Sequence, residues 1–112
     1  DVGARLRDAG AAGQWTLIDF YADWCVSCHV NERNVFGNAE VVAQLDGVQV
    51  LRPDVTRNDG DDKALLAAWQ VLGPPTMILV GPDGQEARGQ RMVGELSAGD
   101  FLRQLQAAGA AS

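Results

Sequence analysis

Apolar residues recur along this chain with two different periods. The run Trp15-Thr16-Leu17-Ile18-Asp19-Phe20-Tyr21 is nearly continuous and rich in β-formers, the pattern of a strand covered on both faces. Val48 to Leu51 reads as a second strand, ended or bulged at Pro53. Thr76 to Val80 reads as a third, and the turn Gly81-Pro82-Asp83-Gly84 leads to a fourth around Gln90 to Val93. Between these runs the spacing turns helical. From Cys25 to about Phe36 it sets Val26, Val30 and Phe36 on related faces, and Asn38 caps a further stretch through Leu45 that closes at Gly47. After the turn Asn58-Asp59-Gly60, Asp61 or Asp62 caps a helix carrying Leu65, Leu66 and Trp69. Ser97-Ala98-Gly99-Asp100 has the form of a capping box opening a last helix, with Phe101, Leu102 and Leu105 inward. Val2 to Ala12 is short and Ala/Arg-rich, one or two turns of helix. The order β, α, β, α, β, β, α predicts an α/β fold, a central mixed sheet flanked by helices on both faces. Residues 1–112 are expected to form one domain, with 1–13 an N-terminal extension or short helix.

Composition sharpens this picture by exclusion. The chain has 112 residues, 46% hydrophobic and 21% charged, which suits a single globular domain and excludes disorder or a cysteine-scaffolded miniprotein. No apolar run approaches the roughly 18 to 20 residues that span a bilayer, so no direct membrane insertion is expected. Nine Lys and Arg against fifteen Asp and Glu give a net charge of −6, and no basic cluster exists to neutralise phosphates, which argues against nucleic acid. Asp54, Asp59, Asp61 and Asp62 lack the spacing of a calcium loop and read as a solvated turn. The chain opens at Asp1 with no basic or apolar leader, as expected of a mature protein or an excised domain.

The chemistry rests on Cys25 and Cys28. A bridge across so short a loop constrains little of the unfolded chain, and a four-ligand zinc site would have only His29 to add. Redox chemistry or covalent attachment of a cofactor remains. Cys25 follows an apolar strand and opens a helix, where unpaired N–H groups and the helix dipole favour an anion. A thiolate there is the natural attacking sulfur, with Cys28 one turn inside to resolve the mixed disulfide. Asp19 lies mid-strand, where desolvation raises the carboxyl pKa; the alternative is a structural acid bonded to backbone. Glu32 is four residues beyond Cys28 and seven beyond Cys25, on their helical face, unless it is simply a solvated helix residue. His29 completes a Cys-x-x-Cys-His string, the attachment motif of a c-type haem, with Met77 or Met92 as the second axial ligand. The strands weigh against it, because haem carriers of this length are helical. Gly73-Pro74-Pro75-Thr76 precedes the third strand, where an X–Pro bond is either cis or plain punctuation.

Asp19-Phe20-Tyr21-Ala22-Asp23-Trp24-Cys25-Val26-Ser27-Cys28 resembles the active-site segment of thioredoxin-fold oxidoreductases. Gly73-Pro74-Pro75-Thr76 is similar to their cis-proline loop, and Gly94 falls where they carry a glycine. Within that superfamily, Tyr21-Ala22-Asp23-Trp24-Cys25-Val26-x-Cys28 followed by Glu32 and Phe36 resembles the C-terminal periplasmic domain of the DsbD family of thiol:disulfide interchange proteins. Asp54-Val55-Thr56-x-Asn58-Asp59, Leu65-Leu66, Val71-Leu72-Gly73 and Gly84-Gln85-Glu86 resemble it too. Three positions depart from the family pattern: Ser27 for an alanine, His29 for a lysine and Pro74 for an aliphatic residue.

The resemblance implies a thioredoxin-like fold and a protein-disulfide reductase, with Cys25 as nucleophile and Cys28 as resolving thiol. Asp19 and Glu32 would tune the thiols, Pro75 would shape the docking surface, and Trp24, Val26, Ser27, Pro74 and Thr76 would meet the partner. It implies no metal and no cofactor beyond the redox-active disulfide. It further implies a monomeric periplasmic domain of a bacterial inner-membrane protein. Electrons would come from the membrane-embedded domain of the same polypeptide and pass to its N-terminal immunoglobulin-like domain, which feeds isomerase and cytochrome c biogenesis partners. The alternatives are a free-standing thioredoxin or cytochrome-c-maturation reductase, a c-type haem carrier, or a non-catalytic binding module.

Overall fold

Four strands, β1 (Thr16–Phe20), β2 (Gln49–Leu51), β3 (Thr76–Val80) and β4 (Met92–Val93), form one mixed sheet in the order β2-β1-β3-β4. The computed structural model describes residues 1–111. β1 pairs parallel with β2, Ile18 opposite Leu51, and antiparallel with β3, Asp19 opposite Met77 and Phe20 opposite Thr76. β3 and β4 pair antiparallel. Every side chain of β1 and β3 is buried, as the near-continuous apolar runs predict for strands with helices on both faces.

Side-chain alternation along the two central strands feeds two apolar layers. Ile18, Phe20, Ile78 and Val80 face a cluster with Val55, Leu66 and Val71, against which Val2, Leu6 and Trp69 pack. Helices α1 (Val2–Ala11) and α4 (Gly60–Ala68) supply that side. Leu17, Met77 and Leu79 face the other layer, with Val35, Val41, Phe101 and Leu105. There α2 (Val26–Asn34), α3 (Ala39–Gln44) and α5 (Ala98–Ala108) cover the sheet.

Several elements differ from expectation for local reasons. The first helix runs ten residues rather than one or two turns, because Asp1 caps it through the Gly3 N–H and Ala9 is buried beneath it. The cap of α4 is Asp59 rather than Asp61 or Asp62; its carboxylate accepts from the Asp62 N–H, leaving the two later acids in the first turn. The fourth strand shrinks to two residues because Arg88–Gln90 winds into a 3₁₀ turn. Val26 does not share an inward face; it stands 75% exposed, and the buried stripe of α2 is Cys28 and Asn31, continued by Val35 just past its end. Asn38 and Ser97 cap α3 and α5 as expected.

Phe101 is fully buried and meets Phe36 edge to face at 5.9 Å. Phe101→Ala should cost about 3–5 kcal/mol. Urea unfolding would register this as a lower midpoint with an unchanged slope.

Candidate functional site

Cys25 and Cys28 form a disulfide, their Cα atoms 5.3 Å apart. Cys25 is itself the N-cap of α2: its backbone is extended and its Sγ accepts the Cys28 N–H at 3.2 Å. A sulfur in that place occupies the position that capping oxygens usually take, facing the unpaired donors of the first turn. The Cys28 Sγ lies further in, 4.0 Å from the Phe20 carbonyl.

The segment ahead of Cys25 is zipped to the chain that follows β2. The Tyr21 N–H donates to the Pro53 carbonyl (3.0 Å) and the Val55 N–H to the Tyr21 carbonyl (2.8 Å). The Asp23 N–H donates to Thr56 Oγ1, and Trp24 Nε1 to the Thr56 carbonyl, at 2.8 and 2.9 Å. Trp24 is thereby held by its edge while 58% of it faces solvent. His29 Nε2 donates to the Asp23 carbonyl, and its ring meets Tyr21 edge-on at 5.6 Å. His29 therefore braces the loop ahead of Cys25. Met77 and Met92 are buried in the apolar cluster of Leu17 and Phe101, whereas the two cysteines belong to the cluster of Ile18 and Phe20, so the haem-ligand set is not assembled.

Asp19 is 8% exposed and its carboxyl takes no hydrogen bond among the described residues, so it is not a structural acid tied to backbone. Burial pushes its pKa up from 3.8 to about 7, Arg52 opposing the rise and Glu32 adding to it. Glu32 sits on α2 and forms an ion pair with Arg52, just past β2, both side chains about two-fifths exposed. The Arg52 guanidinium lies 3.6 Å above the centre of the Tyr21 ring. Glu32 is therefore neither free in solvent nor in hydrogen-bond contact with Asp19; it acts on the buried acid through its charge.

On the other side of the disulfide the Pro74–Pro75 peptide is cis. The Pro75 carbonyl accepts from the Gly94 N–H at 3.1 Å, and Gly94 has φ +89°, the left-handed region that favours glycine. Pro74 and Pro75 are half-buried. Thr76, expected on the partner surface, is instead buried: its hydroxyl donates to the Gly73 carbonyl at 2.8 Å and fixes the loop from within. Asn31, buried in α2, joins the two walls. Its amide donates to the Gly94 carbonyl (3.1 Å) and its oxygen accepts the Leu96 N–H (3.0 Å). Ser27 adds a hydrogen bond to Glu95 at 2.8 Å.

Arg52, Asn31 and Glu95 are not among the residues expected at the site. Asn31 carries a usable signal, a polar residue three positions from Cys28 and four from Val35 on the inward stripe. Arg52 carries none, since its importance depends on tertiary neighbours. Among the described residues no group of three or more His, Cys, Asp or Glu side chains is arranged to hold a metal ion, and no helix is long and apolar enough to cross a membrane.

A central mixed sheet, a disulfide capping the helix after its middle strand and a cis-proline loop alongside define a thioredoxin-type architecture. The family model described as Thioredoxin-like matches residues 1–82, and the chain belongs to that family. More narrowly, it is 48% identical over 96% of its length to thiol:disulfide interchange protein DsbD 2 of Pseudomonas aeruginosa. It is 50% identical over 92% of its length to DsbD of Pseudomonas fluorescens. The chain spans about 18% of each of these relatives. The oxidised C-terminal domain of Neisseria meningitidis DsbD superposes with a TM-score of 0.85 at 28% identity, covering 96% of this chain and 92% of that one.

A carboxyl whose folded-state pKa exceeds its unfolded value favours the unfolded chain once pH passes that unfolded value. Asp19 should thus cost nothing below about pH 4, progressively more up to about pH 7, and a constant few kcal/mol above. Asp19→Asn removes this penalty. In urea titrations across pH the variant should gain on the parent between pH 4 and 7 and hold the gain above; a difference independent of pH would place the Asp19 titration at its ordinary value.

Proposed function

We propose that this chain is a thiol:disulfide oxidoreductase domain that works as a reductant, passing an electron pair between protein partners through Cys25 and Cys28. The observation that carries the reading is the Cys25 sulfur capping α2. When the disulfide opens, that sulfur becomes a thiolate already facing the helix N–H groups, which favours the charged, attacking form. The similarity to DsbD proteins supports a place inside a larger bacterial membrane polypeptide. The domain would face the periplasm, loaded by a membrane-embedded domain and discharged to an N-terminal one.

The exchange balances with the chain's own groups. The Cys25 thiolate attacks one sulfur of the partner's disulfide; that bond breaks as the mixed disulfide forms, and the departing partner sulfur takes a proton from solvent. The Cys28 thiol then gives its proton to Asp19, and its thiolate attacks the Cys25 sulfur. The mixed bond breaks, the second partner sulfur leaves and is protonated, and the Cys25–Cys28 disulfide remains. Two electrons have moved and no cofactor takes part. With a pKa near 7, Asp19 suits a group that both takes and returns a proton at neutral pH. Trp24 and Val26, exposed beside the disulfide, and half-buried Ser27, Pro74 and Pro75 form the surface that meets the partner.

The reduction potential of the pair, titrated in thiol buffers and followed by Trp24 fluorescence, should fall at about −220 to −270 mV. A value near about −120 mV would mark a disulfide donor and overturn the reductant reading. The order of attack has its own test. Cys28→Ala should accumulate a mixed disulfide with a model disulfide protein through Cys25, whereas Cys25→Ala should trap none; the opposite pattern would reverse the two roles.

A further inference from the structure

We propose that Glu95, held by Ser27 at the rim of the disulfide, is a specificity-determining residue that selects partners carrying a Lys or Arg beside their reactive cysteine. The inference rests on the reading of the chain as a thiol:disulfide exchange domain and names the charge it prefers in what docks there.

Ser27 and Asn31 lie one turn apart on α2 and so share a face of the helix. Together they engage three consecutive residues of the loop between β4 and α5. The Asn31 amide donates to the Gly94 carbonyl, the Ser27 hydroxyl donates to Glu95 Oε2 at 2.8 Å, and the Leu96 N–H donates to the Asn31 side-chain oxygen. The Gly94 N–H in turn donates to the Pro75 carbonyl. The Glu95 carboxylate is thereby fixed to the residue that stands between Val26 and Cys28, in the loop that also anchors the cis-proline segment. Glu95 is itself exposed, and it makes no ion pair among the described residues. An alanine at position 27, as the family pattern has it, offers no hydroxyl, so this hold is a departure from that pattern.

The charge left unpaired around the disulfide has one sign. Asp23, exposed just ahead of Trp24, accepts a hydrogen bond from the Tyr21 hydroxyl and has no cation beside it. The neighbouring cations are committed elsewhere. Arg52, stacked on Tyr21, is paired with Glu32, and Arg91, which lines a hollow with Thr76 and Val93, is paired with Glu86. His29 donates its Nε2 proton to the Asp23 carbonyl. The rest of the rim is apolar, with Trp24 and Val26 exposed and Pro74 half-buried. A charge in such a place acts on the encounter: an opposite charge on the partner speeds association, a like charge slows it, and salt screens both. A Lys or Arg next to the partner's cysteine would meet Glu95 as the sulfurs meet, whereas an Asp or Glu there would meet carboxylates with no counter-charge.

The test uses the reduced chain and two short disulfide-bridged peptides, identical except for a Lys or a Glu beside the cysteine. The readout is the ratio of the two reduction rates, divided by the same ratio for a small neutral dithiol, so that the peptides' own reactivity and that of Cys25 cancel. The parent should favour the Lys peptide about fivefold at low ionic strength, and about 1 M salt should abolish the preference. Glu95→Gln should remove most of it. Ser27→Ala, which keeps the carboxylate but releases it, should lower it in part. Glu40→Gln removes an equal charge from the exposed first turn of α3 and should leave the ratio alone. A ratio unmoved by Glu95→Gln or Ser27→Ala overturns the proposal. So does an equal loss in Glu40→Gln, which would assign the preference to the net charge of −6 rather than to Glu95. A chain that reduces neither peptide would overturn the exchange reading itself, and this inference with it, so the two failures are distinct.

Discussion

Strand β1 is hydrogen-bonded along both edges, to β2 and to β3, and covered on both faces, and the site depends on that enclosure. A carboxyl placed there is 8% exposed and, among the described residues, has no hydrogen-bonding partner, so its charge becomes expensive and its pKa rises to about 7. The same strand sets the reading frame for everything after it. Leaving the sheet at Phe20, the chain has four residues, Tyr21 to Trp24, in which to turn and present Cys25 at the start of α2. It manages this by continuing the parallel pairing informally through Tyr21, Pro53 and Val55.

Two kinds of force then share the work around the disulfide. On one side the walls are held by hydrogen bonds of fixed geometry: Asn31 to Gly94 and Leu96, Gly94 to Pro75, Thr76 to Gly73. On the other the components are charges and a ring: Arg52, Glu32, Asp19 and Tyr21. Directional bonds hold shape, while the charges of Arg52 and Glu32 bear with opposite signs on the titration of buried Asp19. Two of the residues that depart from the family pattern, Ser27 and His29, fall into the first group, each bonded to a loop that frames the cysteines.

Much of this is legible in the amino-acid sequence itself. Thr76–Val80 and the caps Asn38 and Ser97 stand where pattern and capping chemistry put them, because each is decided by residues within a few positions of itself. Cys25 at a strand-to-helix junction and Asp19 in a buried run are readable for the same reason. The rest is decided by geometry that spacing does not encode. Asp59, which reads as part of the turn ahead of Asp61 and Asp62, takes the cap of α4 because its carboxylate reaches the Asp62 N–H, a reach that spacing alone does not reveal. The 3₁₀ turn at Arg88–Gln90 adjoins a clamp in which Arg91 bonds Glu86 and the carbonyls of Trp69 and Gln70. Arg52 matters only because β2 ends beside α2.

The two edges of the sheet are short, three residues in β2 and two in β4. A strand edge is a row of unsatisfied donors and acceptors, an invitation to any other strand with the same need. Here each row stops almost as soon as it starts, one cut off by Pro53 and the other by the left-handed turn at Gly94. A protein with exposed Trp24 and Val26 beside its reactive sulfurs and exposed Val93 on β4 has apolar surface that would seed assembly if a long ladder lay alongside. The brevity of those edges lets it carry a sticky working face without offering a template for fibres.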